Sequence, residues 1–188
     1  MDRYIKQIKQ HKKACIGALI LLFIVLLIAL KSRNIRIIDQ YSTLMRSSSK
    51  KYPTRTLAII NKIVVHHSAS IGQYAADYAR YHVQSKGWAG IGYHFVIEKN
   101  GDIIQGNPLR NVSNNVAGEN RRSIGICLSG DFTKEQPSSQ QLKSLAQLIK
   151  YLRKQLPQSL EVYGHRDFGQ TSCPGHQLAK HLYKFKLA

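Results

Sequence analysis

One uncharged stretch constrains this 188-residue chain more than any other feature: Ala14–Leu30 (ACIGALILLFIVLLIAL), in which only Gly17 is outside the apolar set. As a helix, its 17 residues rise about 26 Å, slightly less than a hydrocarbon core of ~30 Å. Lys12, Lys13 and Lys31 bracket it, and their long side chains reach outward to the headgroups. A buried core helix of a soluble protein has no need of nearly five turns without a polar face, so the run is expected to be a transmembrane anchor. A cleaved signal peptide would need a small-residue site after the run, and Ala29-Leu30-Lys31-Ser32-Arg33 lacks one. Cys15 opens the run instead of closing it, which is out of place for a lipoprotein cysteine. Five Lys/Arg precede the run and three follow within fifteen residues, an asymmetry that puts the N-terminus inside and the remainder outside. No second run approaches this length, so the expected topology is single-pass.

The formal charge of +18 divides unevenly. Residues 1–13 hold five cations against one acid, residues 31–54 six against one, and residues 55–188 seventeen against eight. Half the excess therefore flanks the apolar run, where anionic headgroups attract it. A nucleic-acid binder concentrates such charge on one face of its fold, so nucleic acid is not an expected partner. The 43% apolar content supports a core and excludes collagen-like and disordered classes. Three cysteines, an odd number, make no disulfide framework. Cys15 and Cys127 are read as packing residues.

Four segments follow: a basic tail at 1–13, the anchor at 14–30, a linker at 31–54 and a folded domain at 55–188. Residues 31–54 show no sustained period and end in Ser47-Ser48-Ser49-Lys50-Lys51-Tyr52-Pro53. In the domain, Ile59, Ile60, Ile63, Val64 and Val65 belong to a covered central strand, as does Ser123–Ser129. Tyr74, Tyr78, Tyr81 and His82 fall at helical spacing. Asn100-Gly101 predicts a hairpin between Gly92–Glu98 and Asp102–Gln105. Ser138-x-x-Gln141 is a capping box, and it precedes a helical face of Leu142, Leu145, Ala146, Ile149, Leu152 and Leu156. Leu178, Leu182 and Phe185 predict a last short helix. The expected fold class is α/β: a single domain with a central mixed, mostly covered β-sheet flanked by helices, preceded by one transmembrane helix.

Chemistry-bearing residues gather in three places: Val64-Val65-His66-His67-Ser68-Ala69, Gly92-Tyr93-His94-Phe95, and Tyr163-Gly164-His165-Arg166-Asp167-Phe168-Gly169-Gln170-Thr171-Ser172-Cys173-Pro174-Gly175. Side chains alternate along a strand, so at most one of His66 and His67 faces any one site. Imidazole and thiolate together suit Zn²⁺, and a catalytic zinc keeps three protein ligands. His66, His165 and Cys173 would make such a set; Cys173-x-x-His176 competes by spacing, and Asp167 is a further candidate. No phosphate loop, nucleophile elbow or HExxH is present.

The succession IVVHHSAS, GWAGIGYHFVIEKNGDIIQG, SIGICLSGDF and GHRDFGQTSCPG resembles the zinc-dependent N-acetylmuramoyl-L-alanine amidases, a group that includes amidase-type phage lysozymes and peptidoglycan recognition proteins. The resemblance covers residues 57–178 and does not extend to residues 1–54. It implies a zinc ion held by His66, His165 and Cys173, and a catalytic Tyr93 beside the scissile carbonyl. Thr171 falls where phage enzymes have a catalytic lysine and many recognition proteins have threonine. Cys127 stands where another branch has a catalytic glutamate. Asn115 stands where relatives often carry histidine, and no role is assigned to it. His67 and His94 are read as hydrogen-bonding within the fold. The implied substrate is peptidoglycan, cleaved between N-acetylmuramic acid and L-alanine by a monomer on the extracytoplasmic side of the cell membrane. Two alternatives accompany it, a peptidoglycan-binding receptor without activity and a phage-type endolysin.

Overall fold

The computed structural model describes residues 35–186 together with Ile16, Gly17, Leu19, Ile20 and Phe23. The chain divides into two units, Met1–Ile35 and Arg36–Ala188. The five described residues of the apolar run are helical and exposed. The rest of the expected anchor at 14–30 lies outside the described residues, and among those described no helix is long and apolar enough to cross a membrane.

The second unit is built on strands β1 (Ile37–Asp39), β2 (Lys62–His67), β3 (Phe95–Ile97), β4 (Ile103–Gln105), β5 (Ser123–Leu128) and β6 (Glu161–Gly164), in the spatial order β1-β4-β3-β5-β2-β6. All pairs are parallel except the β3–β4 hairpin. That hairpin closes as Asn100-Gly101 predicts: Gly101 sits at φ 91°, and its N–H donates to Glu98 O at 2.8 Å. Both expected central strands are present, with β5 buried along its whole length and β2 along all but its first residue, but the first begins later than expected: Ile59 lies in a 3-10 turn, Leu57–Ile59, and Ile60 follows it outside the strand. Continuous apolar runs of this kind belong to parallel strands covered on both faces.

Helix α1 (Ala75–Gln84) packs Ala75, Tyr78 and Ala79 against Val96, Ile104 and Cys127, covering one sheet face. Helix α2 (Ser139–Gln155) starts at the expected capping box, where Gln141 N donates to Ser138 Oγ and Ser138 N to Gln141 Oε1, both at 3.0 Å. Its buried face is Leu145, Leu148, Ile149 and Leu152; Ala146 is exposed, so the face is rotated from the expected one. Gln141 joins that buried face, its Nε2 donating to Ser129 O at 2.8 Å. The last helix, α3 (His176–Lys186), buries Leu178 and Leu182.

The expected linker is a correction: from Arg36 onward it belongs to the folded unit. β1 pairs with β4, Leu44 enters the core cluster beneath α1, and buried Tyr52 donates its hydroxyl to Gly90 O at 2.8 Å. A three-residue strand and two anchors separated by Ser and Lys leave no period to detect. Arg55, the expected first domain residue, is itself buried and donates to the carbonyls of Leu109, Asn120, Arg121 and Ser123.

Candidate metal centre

Strand register assembles the site. β2 and β6 are parallel with Val65 opposite Gly164, so the next residues, His66 and His165, emerge side by side at the strands' C-terminal ends. Their ring centroids are 4.8 Å apart. After β6 the chain makes a 3-10 turn, His165–Phe168, in which the Asp167 carboxylate accepts from Gly164 N at 3.0 Å. The loop then folds back. Arg166 N donates to Cys173 O at 3.0 Å, and Arg166 Nη2 to Ser172 O at 2.9 Å. Gly175 (φ 84°) completes the return, and a Cβ there would lie 2.3 Å from the Phe132 carbonyl carbon, which only glycine avoids.

Cys173 is thereby delivered to the two imidazoles. One ligand atom each from His66, His165 and Cys173 lie within 4.8 Å of one another, and Cys173 Sγ is 3.7 Å from His66 Nδ1. Tetrahedral zinc, with bonds of ~2.0–2.1 Å to nitrogen and ~2.3 Å to sulfur, separates such a pair by about 3.6 Å. The donor set therefore fits zinc. The two rival ligands are placed elsewhere. His176 is exposed at the start of α3, and Asp167 pairs with Lys186 Nζ at 3.2 Å.

Burial holds His66 neutral, pushing its pKa down to about 3, and it lowers that of His165 as well. Burial also pushes the Cys173 thiol up to about 11. A cation at the three ligands reverses that last preference, since a coordinating thiol is deprotonated.

Tyr93 lies 5.3 Å from His66 between ring centroids and is packed against the core cluster under α1. Burial raises its pKa well above 10, so the phenol keeps its proton. It borders a cleft of about 390 Å³ lined also by Ser68, Gln73, Tyr78, Tyr81 and His82. His82, stacked on Trp88 at 4.7 Å, has its pKa pushed down to about 4 by burial, so its imidazole is uncharged at neutral pH. Thr171 is exposed at the loop, and its Oγ1 accepts from Cys173 N at 3.2 Å.

His67 and His94 bond within the fold. His67 points to the other sheet face, where Nδ1 accepts from Phe132 N at 3.1 Å. Buried His94 accepts from Gly125 N at 3.1 Å through Nδ1, and its Nε2 lies between Asn111 O at 3.0 Å and Arg55 Nη2 at 2.9 Å. Arg166 and Asp167 do not pair with each other; each fixes the loop through its own bonds. Two groups escaped the sequence reading. His82 was visible only as one member of an aromatic helical face, and Asn115, whose Oδ1 is 3.4 Å from His66 Nε2, only as standing where relatives often carry histidine, with no role assigned.

These features define the class: an α/β domain with a His-His-Cys cluster able to hold a metal at the C-terminal ends of parallel strands, beside an aromatic cleft. The chain belongs to the N-acetylmuramoyl-L-alanine amidase family (Amidase_2), whose family model matches residues 55–176. It is 32% identical over 142 residues to peptidoglycan-recognition protein SC2 of Drosophila melanogaster, covering 69% of this chain and 75% of that one. Among solved structures it is similar to the endolysin amidase LysCS of Clostridium intestinale, at TM-score 0.69 and 29% identity over 81% of this chain and 97% of that one. It is also similar to peptidoglycan recognition proteins LCa and LCx, solved as an ectodomain complex bound to tracheal cytotoxin, at TM-score 0.73 and 28% identity over 80% and 96% of the two chains.

Proposed function

We propose that this chain is a zinc-dependent amidase that hydrolyses the bond between the lactyl group of N-acetylmuramic acid and L-alanine in bacterial peptidoglycan. The observation that carries the reading is the cluster of His66, His165 and Cys173 within 4.8 Å, in a chain whose family bears that activity's name. Bound by these residues, Zn²⁺ supplies Lewis acidity that polarises an amide carbonyl and acidifies water.

The chain's own groups do the rest. His66 and His165 offer neutral lone pairs because burial disfavours their protonation. Tyr93, protonated and adjacent, donates its hydroxyl hydrogen to the carbonyl oxygen as charge develops, a contribution of ~2.7–4 kcal/mol for one such donor. Thr171 receives the Cys173 N–H on its oxygen, which leaves its own hydrogen free to donate toward substrate. Being uncharged, it orients and does not act as a strong acid. The cleft, lined by Tyr, Ser and Gln side chains and the uncharged His82 imidazole, suits the neutral glycan and amide portions of a muropeptide.

The apolar run Ala14–Leu30 and its flanking cations support a single-pass tether to the cell membrane, with the domain on the extracytoplasmic side. A receptor that binds without cutting is the second reading, favoured by the similarity to recognition proteins. Incubation with purified peptidoglycan, with and without a chelator, separates the two. The amidase releases soluble stem peptides in a zinc-dependent manner, whereas wall binding with no released peptide sinks the enzymatic reading.

A further inference from the structure

We propose that Asn115 is a positioning residue for the metal centre: it fixes His66 in the tautomer that presents Nδ1 to Cys173 and His165. The inference rests on the metal reading of that site but not on any substrate.

Asn120 Oδ1 accepts the backbone N–H of Asn115 at 2.8 Å and of Val116 at 2.7 Å. Asn115 Nδ2 donates to the same oxygen at 3.1 Å. Since a carbonyl oxygen can only accept, the Asn115 amide cannot be reversed without setting two oxygens against each other. Its Oδ1 is therefore the atom facing His66 Nε2, at 3.4 Å, the long end for such a bond. A neutral imidazole carries one N–H. With the hydrogen on Nε2, the lone pair must lie on Nδ1, the nitrogen 3.7 Å from Cys173 Sγ.

Ser123 Oγ, the first side chain of β5, lies 3.2 Å from Asn115 Nδ2 and 3.3 Å from its Oδ1 and steadies the amide from the other side. β5 also leaves room for it: a Cβ on Gly125 would come within 2.7 Å of Asn115 Cβ and 2.9 Å of its Cγ. Asn115 is buried, so no solvent competes strongly for the bond. Partners that orient a ligating histidine in this way are worth ~10–100-fold in metal affinity.

Two variants of the full chain in detergent micelles test this. Asn115→Leu removes the acceptor. Asn115→Asp keeps an oxygen on His66 but sets a second one against Asn120 Oδ1, so it loses thermal stability while keeping the tautomer. Zinc affinity is measured by competition with a chromophoric chelator. The His66 tautomer is read from the nitrogen shifts of the zinc-free, isotope-labelled chain, with the resonance assigned by His66→Gln. The wild type shows Nε2–H. Asn115→Leu shows mixed tautomers and ~10–100-fold weaker zinc binding, while Asn115→Asp stays within about 3-fold of wild type. Wild-type tautomer and affinity in Asn115→Leu, or equal affinity losses in both variants, would overturn the proposal. Zinc binding that follows the expected pattern in a chain that cuts no peptidoglycan would remove the proposed function and leave Asn115's role standing.

Discussion

Removing residues 36–53 should cost most of the domain's stability, because the folded unit begins at Arg36 and not at Arg55. Leu44 is 6% exposed and sits among Tyr78, Ile91, Val96 and Ile104. Its burial is worth ~2–3 kcal/mol, and the Tyr52 ring contributes about as much. The Tyr52 hydroxyl bond to Gly90 O and the loss of β1 pairing add roughly 1 kcal/mol each. The total is about 6–8 kcal/mol, against the ~5–15 kcal/mol typical of a whole domain. Urea unfolding followed by circular dichroism compares a chain starting at Arg36 with one starting at Thr54. The shorter chain should unfold at far lower urea or show no cooperative transition. Leu44→Ala alone should cost ~2–4 kcal/mol, and it should slow catalysis too, because Tyr93 packs on the same cluster. Equal urea midpoints for the two chains would refute this account of the N-terminal boundary.

Other outcomes are as definite. Cys173→Ser should lose tight zinc binding and activity together; normal zinc content by mass spectrometry with full activity would remove Cys173 from the ligand set. Tyr93→Phe should bind zinc normally but turn over ~10²–10³-fold more slowly, and an unchanged rate would exclude it from the chemistry. His94, pushed down to about 3 by burial from 6.5, binds no proton in the folded state where the unfolded chain does. Its contribution is therefore fully present above about pH 6.5 and is lost as pH falls toward about 3, with a slope of at most ~1.4 kcal/mol per pH unit. His94→Gln should flatten the stability-versus-pH curve by one proton's share, and urea midpoints at about pH 4.5 and about pH 7 would expose an unchanged slope.

Much of the fold was legible because its signals are local. The apolar runs of β2 and β5, the Asn100-Gly101 turn and the Ser138–Gln141 box each act within a few residues, and each appears where expected. The N-terminal segment was not legible: β1 exists only because β4 offers it an edge, and Leu44 and Tyr52 anchor the chain singly. The metal centre falls between these cases. Its residue types and loop pointed to His66, His165 and Cys173, with His176 and Asp167 as competitors; only the fold brings the first three within 4.8 Å of one another, leaving His176 exposed and Asp167 beside Lys186. Asn115 drew notice only as standing where relatives often carry histidine, and its role could not be read, since its partners Asn120, Ser123 and His66 meet only in the fold.

The most direct test of the central claim is cleavage of purified peptidoglycan in heavy-oxygen water, with the products resolved by mass spectrometry. The account predicts stem peptides with a free L-alanine amine and heavy oxygen in the lactyl carboxylate of N-acetylmuramic acid, abolished by a chelator and restored by zinc. Label in a peptide carboxylate or at a sugar reducing end, or cleavage indifferent to the chelator, would contradict it.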